Sequence, residues 1–312
     1  MGNVRNTYVQ KLTDDQINVL YELLKNRDWQ FDEQPHARWR ARKEKTVIIV
    51  YQSGKTVIQG KGTEDFVRFT LEPEIAGEAR MGYEHLLAEK DNPQMFEPHI
   101  GVDESGKGDY FGPLVIAAVY TDEESARKLL ELGVRDSKII KNDRHISSLT
   151  HKIKETVNRR FSVVPIGVDA YNRLYRKIGN LNRLLGWGHA RALENLLEKT
   201  PDCPRAVSDK FAHESVIRNS LQERGKKIEL AQITKGEADV AVAAASILAR
   251  AEFVSRLGNL EKEFSLKLPK GAGEPVFKAA CSAVSTHGRE VLEKIAKTHF
   301  KTTSRVLEET SA

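Results

Sequence analysis

Two adjacent carboxylates at the end of a short apolar run are the residues of this chain whose types most clearly suggest chemistry. Asp103 and Glu104 follow the apolar residues 100–102, and a glycine-rich turn with one lysine follows at 105–108. Carboxylate oxygens are the ligands that hard divalent cations prefer, and a turn of small residues lets another backbone approach closely. The stretch therefore predicts a metal site that acts on a phosphodiester.

The same stretch almost matches a loop that binds nucleoside triphosphates. Residues 101–107 read G-x-x-x-x-G-K, but such a loop needs Ser or Thr at the next position to hold magnesium, and Gly108 stands there. Asp103 and Glu104 would also place two negative charges where backbone amides should hold phosphate. The sequence therefore argues against a phosphate-binding loop.

Two further acids repeat the pattern later in the chain. Asp209 ends a strand predicted at 206–209, and Asp239 lies in the acidic first turn of a helix predicted over 237–264, whose body begins with small apolar residues. An acid at a helix N-terminus also has a structural explanation, because it complements the helix dipole. We assign that role to Glu237 and favour a metal-binding role for Asp239.

Backbone geometry sets two conditions on these acids. Adjacent residues of a strand point to opposite faces, so Asp103 and Glu104 can share a metal only if the strand ends or bulges there. Ser105 and Gly106 supply the flexibility for this. Residues i and i+2 of a helix point about 200° apart, so only one of Glu237 and Asp239 should face the site.

Composition limits the class of protein. The chain has 312 residues and 40% hydrophobic residues, which is typical of a soluble globular protein with about two domains. Its net charge of +5 weakly favours a polyanionic partner. The two cysteines are too few for a disulfide framework or a thiolate zinc site. The N-terminus has no apolar signal core, and the longest apolar run is about half the length that spans a bilayer. We therefore expect a cytoplasmic monomer with no membrane association.

Periodicity divides the chain into three parts. Residues 1–75 predict a small α+β substrate-binding domain, 76–98 a polar linker, and 99–312 a catalytic domain in which strands and helices alternate. This alternation is typical of a mixed α/β sheet flanked by helices. The first part contains a helix that begins with a capping box at Thr13 and Gln16, followed by strands at 37–43, 46–51 and 56–59.

A basic strand in the first part is a candidate for contacts with nucleic acid. Arg38, Arg40 and Arg42 alternate along the strand 37–43, so we expect them to share one face while Trp39 faces the core. A row of like charges suits contacts with phosphates. A solvated edge strand explains the same pattern equally well.

The motifs of the long domain resemble one known family. Residues 103–114, which read DESGKGDYFGPL, are similar to the signature of bacterial ribonuclease HIII, a type 2 ribonuclease H. The agreement continues in RDSK at 135–138, SDKF at 208–211, the alanine-rich helix that ends in SILAR at 250, and HFKTT at 299–303. Ribonuclease HII carries Gly-Arg-Gly where this chain has Gly106, Lys107 and Gly108, which favours ribonuclease HIII.

The resemblance implies a ribonuclease H-like fold, preceded by a small α+β domain that resembles a TATA-box-binding protein repeat. It implies an endonuclease that hydrolyses the RNA strand of RNA/DNA hybrids and leaves 5′-phosphate and 3′-hydroxyl ends. The catalytic, metal-binding acids would be Asp103, Glu104, Asp209 and Asp239. Oxygen ligands without Cys or His select Mg²⁺ or Mn²⁺, and we expect two ions about 4 Å apart.

The resemblance also assigns the reading of the ribose 2′-hydroxyl to the glycine-rich turn. The substrate-binding candidates are the turn, three polar residues that follow later and the basic strand: Ser105, Gly106, Lys107, Gly108, Ser137, Lys138, Lys210, Arg38, Arg40 and Arg42.

Two other functions are compatible with the acids. The first is a junction resolvase or transposase of the same fold, against which only the glycine-rich turn argues. The second is a non-catalytic nucleic-acid-binding protein in which the acids are structural caps.

Overall fold

The computed structural model describes residues 7–77, 92–134, 143–234 and 236–310 of the chain. These residues form two compact units that divide between Asp91 and Asn92. The domain limits at 75 and 98 stay predictions, and most of the predicted linker lies outside the described residues.

The N-terminal unit is an antiparallel sheet with its helices on one face. Its elements are β1 (Thr7–Lys11), α1 (Asp14–Asn26), β2 (Gln30–Asp32), β3 (Ala37–Lys43), β4 (Thr46–Tyr51), β5 (Lys55–Gln59) and α2 (Thr63–Phe66), which continues as a π-helix (Val67–Ala76). The strand order is β1-β5-β4-β3-β2. The capping box of Thr13 and Gln16 begins α1 as predicted, and the small α+β domain is confirmed. The short edge strands β1 and β2 were not predicted.

Both helical segments of this unit pack on the same face of the sheet. Leu20 and Leu24 of α1 and Leu71 of the π-helix share a core with Ile48 and Ile58. The opposite face carries half-buried and exposed side chains instead. On β1, for example, Val9 is 53% exposed and pairs with Val57.

The prediction that Arg38, Arg40 and Arg42 share one face is wrong, because β3 contains a bulge. The register of β3 against β4 shifts between Ala37 and Trp39, which takes Arg38 out of the alternation. Arg38 instead lies 2.7 Å from a carboxylate oxygen of Asp14 and donates to a backbone carbonyl oxygen. Arg40 and Arg42 still share the face opposite the helices, while Trp39 packs against the core as expected.

The C-terminal unit is a mixed five-stranded sheet covered by helices. Its elements are β6 (His99–Ser105), β7 (Leu114–Thr121), α3 (Glu123–Glu131), α4 (Asp143–Thr156), β8 (Phe161–Ile166), α5 (Val168–Ile178), α6 (Leu181–Leu197), β9 (Arg205–Asp209), α7 (Ser215–Arg218), β10 (Glu229–Ile233), α8 (Val240–Phe264), α9 (Glu274–His287), α10 (Val291–Ile295) and α11 (Lys301–Glu309). The strand order is β10-β9-β6-β7-β8. β9 runs parallel to β6 and β10, and the other pairs are antiparallel. The predicted mixed sheet is confirmed.

Helices α6 and α8 cover opposite faces of the central strand β6. Ile100 and Val102 lie in one core with Leu193 of α6. On the other face, a Cβ on Gly101 would lie only 2.1 Å from the amide nitrogen of Val242 in α8. Only glycine allows this approach. The small side chains at the start of α8 therefore let the helix lie flat on the sheet, as predicted.

The strand β6 is longer and more regular than expected. Its pairing with β7 continues without a shift through Glu104, opposite Ile116, and Ser105, opposite Val115. The prediction that the strand ends or bulges at Asp103 is therefore wrong. The hydrogen bonds to β7 outweigh the flexibility of the residues that follow.

Candidate active site

Asp103 and Asp209 lie side by side at the carboxyl ends of two parallel strands. The pairing of β6 with β9 runs from Ile100, opposite Ala206, to Val102, opposite Ser208. The next residues are the two aspartates, on strands about 4.8 Å apart. Both alternate away from the α6 face and therefore point to the face that α8 covers. β9 ends here while β6 continues, so none of the described strands pairs with β6 on its β9 side beyond this point.

Asp103 is held by its own strand and by α8. Its Oδ1 accepts the Glu104 amide at 2.8 Å, and its carboxylate accepts a hydrogen bond from the Ser246 side chain. Burial, and then the charge of Glu104, raises the pKa of Asp103 to about 7 despite these hydrogen bonds. The Asp103 carboxyl group therefore needs a compensating cation to stay charged below about pH 7. Without a cation, it carries a proton there.

Asp209 is held by the segment that leads into α8. Its Oδ1 accepts the Gly236 amide at 2.9 Å. A Cβ at Gly236 would lie 2.9 Å from the Cα of Asp209, which is too close for another residue type without a shift. The chain therefore passes directly against the strand end, and Glu237 is the next residue along it.

Glu104 points to the opposite face, towards α6. Its Oε2 lies 3.0 Å from Nε2 of the buried His189, and its Oε1 lies 3.5 Å from Nζ of Lys107. Burial raises the pKa of Glu104, but the hydrogen bond and charge of His189, with Lys107, outweigh burial and lower the pKa below its ordinary value. The two adjacent acids thus have opposite electrostatic environments.

Asp239 occupies a different place from the other three acids. It is the N-cap of α8, is 2% exposed, and its Oδ1 accepts the amides of Ala241 and Val242 at 2.9 and 3.1 Å. The same oxygen lies 3.0 Å from Nε2 of the buried His99. His99 precedes Asp103 by four residues, which is about 13 Å along a strand. The structure therefore does not bring the Asp239 Oδ1 to the pair Asp103 and Asp209.

Each ring nitrogen of His99 has a partner. Its Nδ1 lies 2.7 Å from the carbonyl oxygen of Glu97, which can only accept. Its Nε2 faces a carboxylate oxygen of Asp239 that already accepts two amides. Both ring nitrogens therefore face acceptors, and the buried contact of His99 with Asp239 joins the start of β6 to the start of α8.

The glycine-rich turn requires glycine at one position. Gly106 has φ of +90°, and a Cβ there would lie 2.3 Å from the carbonyl oxygen of Pro113. Gly108 is exposed with open space around it. Ser105 is the half-buried last residue of β6, and Lys107 lies with its Nζ 5.5 Å from the centroid of the Phe211 ring. The turn thus presents its backbone beside the acids.

The remaining predicted substrate contacts divide into two groups. Lys210 is exposed directly after Asp209, and its amide donates to Ile233 at 3.0 Å. Ser137 and Lys138 lie outside the described residues.

A buried lysine that the sequence did not reveal contacts the backbone that follows the glycine-rich turn. Lys297 is 0% exposed, and its Nζ donates to the carbonyl oxygens of Asp109 and Gly112, both at 2.8 Å. Burial lowers the pKa of Lys297 to about 7. In the sequence it is an isolated lysine just before the closing motif, and no pattern marked it as buried. Sequence reasoning likewise assigned no role to His99 or His189.

The donor set suits a hard divalent cation, since the pair Asp103 and Asp209 offers carboxylate oxygens at the carboxyl ends of two strands. Among the residues with described side chains, no three His, Cys, Asp or Glu side chains converge closely enough to hold an ion as they stand. Glu104 lies on the other face of β6, where His189 and Lys107 contact its two oxygens.

No helix in the described part of the chain is long and apolar enough to cross a membrane.

Comparison with known proteins identifies the two units. The family model for ribonuclease HII matches residues 100–303, and a domain of unknown function (DUF3378) matches residues 7–78. Ribonuclease HIII from Chlamydia felis is 39% identical to this chain, and the match covers 98% of this chain and 99% of the relative. Ribonuclease HIII from Chlamydia pneumoniae is 43% identical over 95% of this chain and 96% of the relative.

Solved structures agree with these relatives. A crystal structure of Bst-RNase HIII in complex with Mn2+ superposes with a TM-score of 0.66 at 30% identity, over 97% of this chain and 99% of that one. Aquifex aeolicus RNase H3 superposes with a TM-score of 0.55 at 26% identity, over 94% of this chain and 100% of that one. The chain therefore belongs to the ribonuclease HIII family of ribonuclease H enzymes.

Proposed function

We propose that this chain is an endoribonuclease that hydrolyses the RNA strand of RNA/DNA hybrids and leaves 5′-phosphate and 3′-hydroxyl ends. The observation that carries the proposal is the placement of Asp103 beside Asp209 at the carboxyl ends of two strands, next to the glycine-rich turn. Membership of the ribonuclease HIII family supports it. The cytoplasmic location and the monomeric state stay predictions from the sequence.

Asp103 and Asp209 hold Mg²⁺ or Mn²⁺ in this proposal, and Glu104 contributes from the opposite side of β6. The structure of Bst-RNase HIII with Mn2+ supports the choice of cation. A divalent cation bound there supplies charge stabilisation to the phosphodiester and a stronger nucleophile at neutral pH. Glu104 would reach such a cation through its side-chain torsions, because its side chain is longer than that of aspartate by one methylene.

The turn selects RNA by contact with the ribose. The backbone of Gly106, Lys107 and Gly108 can approach a 2′-hydroxyl, which is both a donor and an acceptor. Lys107 also brings a positive charge to the side of Glu104 where a phosphate would lie. Lys297 donates to the carbonyl oxygens of Asp109 and Gly112, which follow the turn, and so fixes the backbone on its C-terminal side.

The identity of the fourth acid is open between two residues. The metal-binding role of Asp239 stays a prediction. Its contacts with His99 and with two helix amides favour a structural role instead. Glu237 directly follows Gly236, whose amide donates to Asp209. Since Asp239 is held by His99 and by two helix amides, we propose Glu237 as the fourth ligand.

The Asp103→Asn substitution should abolish cleavage of a uniform RNA/DNA hybrid in Mg²⁺ or Mn²⁺. We expect a loss of at least about 10³-fold in kcat, because a neutral amide holds the cation poorly and several kcal/mol of charge stabilisation disappear. Hybrid affinity measured by fluorescence anisotropy should change little. Product ends are checked by their 5′-phosphate.

The matched control is Glu124→Gln, an exposed acid on α3, which should cleave like the parent chain. Duplex DNA is the substrate control, because a resolvase or transposase would cut it. Cleavage by the Asp103→Asn chain, or equal cleavage of duplex DNA by the parent chain, contradicts the proposal.

Glu237→Gln and Asp239→Asn should separate catalysis from stability. We expect Glu237→Gln to lower kcat by at least about 10²-fold with little change in the free energy of unfolding, consistent with a lost ligand. Asp239→Asn should lower the free energy of unfolding by about 1 kcal/mol or more, because a neutral amide oxygen replaces the carboxylate that accepts from two helix amides and contacts His99, and hydrogen bonds to a charged acceptor are stronger. Urea unfolding and hybrid cleavage are measured on both. The reverse pattern would restore Asp239 as the ligand.

Mn²⁺ affinity should depend on pH through Asp103. The raised pKa of about 7 means that this carboxyl group carries a proton at lower pH, and the proton must leave before a cation binds. Affinity measured by titration calorimetry should therefore rise by about tenfold per pH unit up to about pH 7 and then level off. A constant affinity between pH 5.5 and 7 would show that Asp103 does not compete for the cation.

The N-terminal sheet should add affinity for the hybrid through phosphate contacts rather than sequence reading. Arg40 and Arg42 share one face and are the proposed contacts, and Arg42 also lies 3.2 Å from Asp32; Arg38 lies outside this row and pairs with Asp14. Replacing Arg40 and Arg42 together by Ala should reduce the slope of log affinity against log salt by up to about 2. Arg38→Ala is the matched control, with little expected change. If neither variant changes the slope, the basic strand is only solvated surface.

A further inference from the structure

His189 is a buried side chain in contact with a proposed cation ligand. It lies on α6 at 0% exposure, and its Nε2 is 3.0 Å from Oε2 of Glu104. A carboxylate oxygen accepts, so Nε2 carries the proton and donates. The other oxygen of Glu104, Oε1, faces Lys107 of the glycine-rich turn. The two oxygens of Glu104 therefore have different partners on different elements.

The second ring nitrogen shows that the imidazole is set up for this one hydrogen bond. Nδ1 of His189 is buried and has no hydrogen-bond partner among the described residues. The Phe211 ring lies 4.8 Å away between ring centroids and packs against the imidazole. These contacts hold the imidazole in one orientation, with Nε2 directed at Glu104.

Strand geometry explains why Glu104 needs such a partner. β6 is regular through Ser105, so its backbone directs Asp103 and Glu104 to opposite faces. Only the side-chain torsions of Glu104 can bring its carboxylate to the strand ends where Asp103 and Asp209 lie. A free glutamate samples many rotamers, and ordering it costs entropy at the moment a cation binds. A fixed hydrogen bond to one oxygen removes part of that cost in advance.

We propose that His189 is a positioning residue that holds Glu104 by Oε2 and leaves Oε1 directed to the turn side, for the cation and the substrate. The proposal rests on the proposed function, because it takes Glu104 as a cation ligand. Phe211 lies two residues after Asp209 and seats the imidazole, so the end of β9 supports both ligands. Hydrogen-bond partners of metal ligands commonly have this role.

The test measures Mn²⁺ affinity by titration calorimetry on the full chain without substrate, together with kcat and KM on the hybrid. His189→Leu should lower Mn²⁺ affinity by about 10- to 100-fold and lower kcat, with the KM for hybrid little changed. His189→Gln keeps an N–H that reaches the position of Nε2 and should stay within a few-fold of the parent. His189→Asn is one methylene shorter and should lose affinity like His189→Leu.

The pair His189→Gln and His189→Asn keeps the test decisive if His189→Leu does not fold, since both keep a polar amide. Leu193→Ala is the control for stability. It removes a buried side chain one turn further along the same helix and should destabilise the chain without changing Mn²⁺ affinity. The proposal is overturned if Leu193→Ala loses affinity as much as the His189 variants, or if His189→Asn binds Mn²⁺ like the parent.

Glu104→Gln separates this proposal from the proposed function. If Glu104→Gln loses affinity and the His189 variants do not, only the role of His189 fails. If Glu104→Gln binds Mn²⁺ like the parent, Glu104 is no ligand and the role of His189 fails with it. If Asp103→Asn also keeps hybrid cleavage, the proposed function itself is wrong.

Discussion

The parallel pairing of β6 with β9 is the contact on which the site depends. It alone sets Asp103 beside Asp209, two residues separated by more than a hundred positions in the chain. The pairing is maintained from both faces of the sheet, by the core under α6 and by the close approach of α8 to Gly101. Because side chains alternate along a strand, a slip of β9 by one residue would turn Asp209 to the opposite face from Asp103.

Two buried histidines each contact an acid, and the difference between them separates structure from chemistry. Both ring nitrogens of His99 face acceptors, and its contact with Asp239 fastens α8 to β6. His189 has a partner at one nitrogen only and leaves an oxygen of Glu104 on the side of the turn. The contact of His99 with Asp239 holds two elements together. The contact of His189 with Glu104 uses one carboxylate oxygen and leaves the other on the side of the turn.

The glycine-rich turn depends on contacts from a distant segment. Lys297 directs its buried Nζ to carbonyl oxygens of Asp109 and Gly112, and Gly112 donates its own amide to Ile295. Tyr110 closes the arrangement with a hydroxyl contact to Thr303 at 3.1 Å. The closing motif of the chain is therefore part of the support of the turn, which gives a physical reason why the two motifs occur together in this sequence.

The mixed sheet, the long apolar helix α8 and the acids at strand ends could all be predicted from periodicity and residue type, because these depend on local patterns. The motifs also predicted the family. Three features could not be predicted: the regular course of β6 through Glu104, the bulge at Arg38, and the cap of Asp239 on α8 with His99. Each depends on the register or contact with another element, namely β7, β4 and the start of β6. Residue type alone does not identify such partners. The burial of Lys297, His99 and His189 is therefore visible only in the folded structure.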